Sequence, residues 1–387
     1  MRATTTEAMD LMRRFAERTG LGDGPHERRY LWTDAFAVCN FVGLAAATGD
    51  GAWMALARRL VDRVHLVLGS HRPGDDRTGW LDGASAAHPT RGGLRIGKPL
   101  PERGPAERLD EQREWDRDGQ YFHYLTKWMH ALDQMARATG EPVFHLWACE
   151  LAATAHRAFT YVPRGGGVRR LYWKMSVDLS RPLVPSMGQH DPLDGWITCL
   201  QLATAAPGRP ASAGSPDLRQ AAADFGAMVA GGDLTTADPL GLGGLLTDAC
   251  RVAQLMRVGV FADGRLLQAL LASSVAGLGV YARHGEWRQP AAHRLAFREL
   301  GLVIGLDAAG WLQTRPELAA AAPVRRLLDA LGRYAPLGEE LVRCWREAVH
   351  HATPGWSRHE DINEVMLATS LAPEAFLLFA SGAHAIP

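Results

Sequence analysis

The sequence predicts an all-α protein: one domain spanning 1–387, built as a closed ring of helical hairpins around a central pocket. Three observations carry that expectation. Apolar residues recur at the helical period through most of the 387 residues. Short turns bearing Gly or Pro separate the periodic segments, and helices joined by short turns must pack antiparallel. Strongly apolar helices alternate with amphipathic ones, the pattern of inner helices buried on all sides and outer partners wetted on one.

In chain order, a helix is expected near 7–19. Residues 31–48 (LWTDAFAVCNFVGLAAAT) form an apolar helix that Gly49, Asp50 and Gly51 stop. Residues 52–69 form its partner, with Arg58, Arg59, Asp62 and Arg63 on the wet side. The pattern recurs over 120–139 and 143–159, divided by Gly140, Glu141 and Pro142. Glycine takes the left-handed backbone that ends a helix, and proline suits the first turn of the next. Further helices are expected at about 191–206, 216–230, 242–258, 264–283, 290–313, 321–333, 338–350 and 361–382, which makes about thirteen. Two segments interrupt the pattern. Residues 70–117 are rich in Gly, Pro and Arg, a long insertion of the kind that is either functional or disordered. Around Gly165–Gly167 a short β-hairpin near 160–180 is expected. Residues 207–216 (PGRPASAGSP) read as a surface loop.

Composition narrows the function class. Lys+Arg and Asp+Glu each total 42, so no electrostatic footprint for nucleic acid is present. Lysine occurs only at 98, 127 and 174, which the coding bias of a GC-rich genome accounts for. Cys39, Cys149, Cys199, Cys250 and Cys344 are odd in number and widely spaced, with no CxxC, against a disulfide framework or thiolate zinc site. HExxH, a Gly-bearing calcium loop, GxGxxG after a strand, GxxxxGK[ST] and GxSxG are all missing, so neither metal nor cofactor is expected. The first twenty residues lack an apolar signal region, and every apolar run of membrane-spanning length is broken by Arg, His or Asp. A cytoplasmic protein without membrane association is expected, and a homodimer is compatible with everything seen.

Polar and aromatic residues gather at the start of every second helix. The clusters are Arg28, Arg29, Tyr30, Trp32 and Asp34; Trp115, Asp118, Tyr121, His123, Tyr124 and Lys127; Gln189, His190, Asp191 and Asp194; Asp248 with Arg251; His293, Arg294, Arg298 and Glu299; and His359, Glu360, Asp361, Asn363 and Glu364. Charges in helices this apolar need a partner or a purpose. Helix N-termini favour carboxylates and bound anions. If alternate helices share a direction, the clusters converge on one mouth. A structural reading stands beside each functional one. Asp34, Asp191 and Asp361 can be caps; His123 can be a hydrogen-bonded core histidine; Arg298 and Glu299 can be an internal ion pair; the tryptophans can be core. His190, in a rigid turn before Pro192, leans to function.

Apolar-inner, polar-outer helix pairs whose inner N-termini carry Arg, Trp, His and acid resemble the (α/α)6 barrel of the six-hairpin glycosidase-like superfamily, nearest by length to the N-acylglucosamine and cellobiose 2-epimerases. The resemblance covers most of the chain as architecture; the insertion at 70–117 and the hairpin depart from it. It implies a carbohydrate bound in the central cavity. In those epimerases two histidines exchange a proton beside the sugar carbonyl, an arginine holds the substrate and aromatics stack on it. His190 or His293 with His359, Arg29, and Trp32 with Trp356 match those roles. The expected function is thus a carbohydrate-active enzyme, an epimerase/isomerase or a glycoside hydrolase, working by His/carboxylate acid–base chemistry. Candidate catalytic residues are His123, His190, Asp191, His293, Glu299, His359 and Asp361. Candidate substrate-binding residues are Arg29, Trp32, Asp34, Asp118, Tyr121, Lys127, Trp173, Trp356, Glu360 and Glu364. Epimerisation needs two bases that titrate near the working pH; hydrolysis needs two carboxyls flanking the bond. Two other classes stay open: a terpene-type or other apolar-substrate cyclase, which lacks its DxDD or DDxxD motif here, and a non-catalytic helical scaffold, which the polar helix starts oppose.

Overall fold

The computed structural model describes residues 3–21, 28–204, 214–319 and 321–379. The longer helices run Ala3–Arg18, Leu31–Thr48, Gly51–Leu68, Phe122–Thr139, Pro142–Phe159, Asp191–Ala203, Arg219–Val229, Pro239–Arg257, Arg265–His284, Ala296–Gln313, Ala322–Gly332, Ala335–Arg346 and Glu360–Leu371. They group into two compact units, one holding Ala16–Ala45 with Gly49–Gly232, the other Met1–Phe15, Ala46–Thr48 and Asp233–Phe379. The surface loop expected at 207–216 lies mostly outside the described residues.

In the first unit the inner and outer characters are plain. Leu31–Thr48 buries every residue from Leu31 to Val42. Gly51–Leu68 buries one stripe, Trp53, Ala57, Leu60, Val61, Val64, His65 and Leu68, and wets the rest. Gly49, at φ 70°, ends the first of these helices, and the Asp50 carboxylate caps the next by accepting from the Ala52 amide at 2.9 Å. Phe122–Thr139 packs on Pro142–Phe159 and on Asp191–Ala203, which in turn packs on Arg219–Val229.

The second unit repeats the logic. Pro239–Arg257 packs on Ala296–Gln313 and Arg265–His284, and Ala296–Gln313 packs on Glu360–Leu371, Ala322–Gly332 and Ala335–Arg346. Pro239–Arg257 and Ala296–Gln313 touch backbone to backbone. A Cβ on Gly243 would fall inside the Gly301 carbonyl, and one on Gly305 would lie 2.6 Å from the Gly243 Cα.

Several boundaries differ from expectation. The helix expected at 361–382 stops at Leu371, and Pro373 separates it from a single turn, Glu374–Leu377. The one expected at 290–313 starts at Ala296, after two 3-10 turns, Glu286–Arg288 and Ala291–His293. Residues 120 and 121 are strand rather than helix. The expected hairpin forms as Thr160–Tyr161 against Arg170–Leu171. The chain then makes a second sheet in which Lys174–Met175 pairs with both Gln120–Tyr121 and Pro182–Val184. Two helices, Leu31–Thr48 and Arg265–His284, do reach the length and apolarity of a membrane span, against the expectation from sequence; the first is mostly buried in its unit, as a core helix is.

The insertion at 70–117 is held by side chains rather than by regular structure. Buried Arg95 donates to the Val67 carbonyl at 2.6 Å, the Ser70 carbonyl at 2.7 Å and the Asp118 carboxylate at 2.5 Å. The Gln120 amide accepts from Leu94 N at 2.8 Å and donates to the Gly92 and Val177 carbonyls at 3.0 and 2.8 Å. These bonds fix the insertion against the end of Gly51–Leu68 and the residues just ahead of Phe122–Thr139, and the Leu31 amide donates to the Ile96 carbonyl at 3.1 Å, which ties it to the start of Leu31–Thr48.

Candidate active site

The starts of Phe122–Thr139 and Asp191–Ala203, with Tyr30 just ahead of Leu31–Thr48, build one polar–aromatic cluster inside the first unit. Lys127 Nζ donates to Asp194 Oδ2 at 2.7 Å, and the Thr126 hydroxyl donates to the same oxygen at 2.5 Å. Asp191 lies one turn before Asp194, on the same helix face. It is 8 % exposed, and its Oδ2 has no hydrogen-bond partner among the described residues. Burial, and then the nearby Asp194 charge, push the Asp191 carboxyl up to about 7 in spite of Lys127. It therefore holds a proton up to near neutrality.

His123 is the second unsatisfied group: its Nδ1 is buried and unpartnered among the described residues. Burial, and then the Lys127 charge, pull its imidazole down to about 4, against Asp194, so the ring is neutral at neutral pH. The ring stacks with Trp173 at 6.1 Å and 13° and with Tyr121 at 5.4 Å and 29°, and meets Tyr124 edge-on at 4.7 Å. The Tyr124 and Tyr30 hydroxyls are 2.6 Å apart. Burial raises the phenols of both Tyr121 and Tyr124 above their ordinary range.

All three lysines of the chain belong here. Lys127 pairs with Asp194, Lys98 lies 5.4 Å over the Tyr30 ring, and Lys174 lies 5.3 Å over the Tyr121 ring. In a chain whose default cation is arginine, a compact ammonium is kept at three places that adjoin one site. That rarity is a sequence signal that could have pointed to Lys98 and Lys174, but from sequence it is assigned to coding bias.

Other expected residues of this unit serve the scaffold. Arg29 is buried, pairs with Asp34 at 3.3 Å and donates to the Thr19 carbonyl at 2.6 Å. Asp34 also accepts from the Tyr30 amide at 3.0 Å. Asp118 accepts from Arg95 and from the amides of Gly97 and Gly119 at 3.0 and 3.1 Å. Trp32 is buried, with Phe36 at 4.4 Å. His190 is half-buried and takes the N-cap position of Asp191–Ala203 without a side-chain cap bond.

The remaining expected residues belong to the second unit. Arg294 grips Glu299 with two hydrogen bonds at 2.8 and 2.5 Å, and the Trp345 indole donates to the same carboxylate at 2.7 Å. Trp356 is buried, stacked on His351 at 3.8 Å and on Trp345 at 6.1 Å. Arg298 pairs with Asp238 rather than with Glu299. Glu364 is buried and accepts from Arg14 at 3.0 Å. His293, His359 and Glu360 are exposed and Asp361 is half-buried. Phe297 meets the His359 ring edge-on at 5.6 Å. Among the described residues no group of three His, Cys, Asp or Glu side chains is placed to hold a metal ion.

No protein-family model and no curated protein matches the sequence. Solved structures do resemble the chain. A GH76 alpha-mannanase of Bacteroides thetaiotaomicron matches with a TM-score of 0.55 at 9% identity, over 97% of both chains. The cellobiose 2-epimerase of Spirochaeta thermophila matches with a TM-score of 0.48 at 10% identity, over 89% of this chain and 87% of that one. The cellobiose 2-epimerase of Bacillus thermoamylovorans gives 0.45 at 8% identity, over 80% and 76%. The mannanase likeness shows the fold: the chain has the (α/α)6 arrangement of helical hairpins.

Proposed function

We propose that this chain is a carbohydrate-active enzyme, and a glycoside hydrolase in preference to an epimerase, with 1–387 acting as one domain. The observation that carries the reading is the carboxyl pair at the start of Asp191–Ala203. Glycoside hydrolysis needs one carboxyl that keeps its proton and another that stays charged. Asp191 is buried, open at Oδ2 and shifted to about 7, which suits the proton donor. Asp194, bonded to Lys127 and Thr126, suits the charged partner. His123 and the rings of Tyr121 and Trp173 supply a neutral hydrogen-bonding group and aromatic faces beside them, the surroundings a sugar ring takes. Epimerisation by two histidines finds less support. His123 is held neutral down to about 4, and His293 and His359 are exposed residues of the other unit. The fold is shared with a protein named for acting on a mannan, which agrees with the reading but does not fix it.

Purified protein should release the aryl group from at least one aryl glycoside. Asp191→Asn should lower kcat by roughly 10²- to 10⁴-fold with the circular dichroism spectrum unchanged. Because the donor must be protonated, activity should fall as pH rises through about 7. Isomerisation of a free sugar with no glycoside cleavage, or full activity in Asp191→Asn, would reject the hydrolase reading.

A further inference from the structure

We propose that Trp115 is a stacking subsite for a second sugar ring, outside the ring bound at His123 and Asp191, so that the substrate is an oligosaccharide or polysaccharide. This rests on the sugar-acting reading above. Trp115 is 53% exposed, and an isolated exposed tryptophan would carry no weight. Two further observations set it apart.

The first is continuity. Trp115 meets Trp173 edge-on at 5.2 Å; Trp173 lies 5.2 Å from Tyr121 and stacks on His123. The aromatic row thus begins on the surface at Trp115 and ends at the half-buried His123 ring. The second is how the indole is held. The Lys174 side chain is fully buried, which is costly for an ammonium unless its donors are met. It donates to the Glu114 carbonyl at 2.8 Å, the Glu114 carboxylate at 2.9 Å and the Arg117 carbonyl at 2.9 Å. Arg103 donates to the other Glu114 oxygen at 3.1 Å, and Asp110 caps the turn by accepting from Arg113 N at 3.1 Å. One buried cation therefore clamps the backbone on both sides of Trp115. The indole is displayed on a fixed base, so little conformational entropy is lost when an apolar ring face settles on it. The apolar face of a pyranose is the partner that continues a row ending at a sugar-binding centre.

Binding of alpha-mannooligosaccharides of one to six units, and of a parallel beta-glucooligosaccharide series, should be measured by calorimetry on Asp191→Asn protein, which prevents turnover. Affinity should rise with chain length. Adding Trp115→Ala should weaken the longest ligand bound by about tenfold, leave the monosaccharide unchanged, and abolish most of the gain with length. Trp115→Phe, which keeps a ring, should recover most of it. An equal loss at every length, or no loss, overturns the subsite while the sugar-acting reading stands. Failure of the Asp191→Asn protein, with Trp115 intact, to bind any member of either series overturns both.

Discussion

The clusters at the starts of Asp191–Ala203 and Ala296–Gln313 each place a buried carboxyl group at a helix start and are resolved in opposite ways. Around Glu299 both carboxylate oxygens are taken: Arg294 grips both, and Trp345 adds a third bond. Around Asp191 one carboxyl oxygen has no partner among the described residues, and His123 nearby leaves Nδ1 in the same condition. A buried carboxylate that is fully bonded serves the fold. One kept buried and unbonded costs stability, which is what makes Asp191 the candidate for function. The contrast is not complete, since the Tyr281 hydroxyl in the second unit is also buried and unpartnered among the described residues.

Three substitutions test the contrast. Glu299→Gln should be the most damaging, because it strands the nearly buried Arg294 guanidinium; a loss of about 3–5 kcal/mol in denaturant unfolding is expected. A loss below about 1 kcal/mol would mean that this cluster is no better closed than the other. Asp191→Asn should act the other way. Unfolded, its carboxyl loses a proton near 3.8; folded, it keeps it to about 7, so its burial penalty grows as pH rises between those values and is full above them. The variant should therefore be more stable than the parent at pH 8, by on the order of 2–4 kcal/mol, and equal to it near pH 4. A destabilised Asp191→Asn at pH 8 would show that the carboxylate is satisfied after all. Arg298→Ala should matter least. It removes an ion pair with Asp238 that is over a third exposed on both sides, worth under about 1 kcal/mol in thermal melts.

How far the site was legible depends on the interaction that makes each residue matter. Asp191, His123, Lys127 and Tyr121 stood out because polar groups and rings at the start of an apolar helix are visible in the sequence; Trp173, between two short strands, stood out only as a tryptophan. Arg29 and Asp118 stood out for the same reason and yet are structural. Their partners, Asp34 with Thr19 and Arg95 with Gly97, are set by how a loop closes, which periodicity does not describe. Lys174 was unreadable as a clamp because its acceptors at Glu114 and Arg117 lie some sixty residues earlier. The three-stranded sheet was missed for the same cause: Gln120 pairs with Met175 across a gap that no local rule spans.

The sequence alone determined the helices and their order, because the 3.6-residue period, the glycine stops and the proline starts are local, and each acts within a few residues of itself. It also determined which helices are inner, since Leu31–Val42 admits no wet face. The tertiary structure decided which of the gathered charges are neutralised and which are left unpaired. That choice turns on distances of a few ångströms between residues tens to hundreds of positions apart, and it leaves Glu299 with three hydrogen bonds and Asp191 Oδ2 without a partner among the described residues.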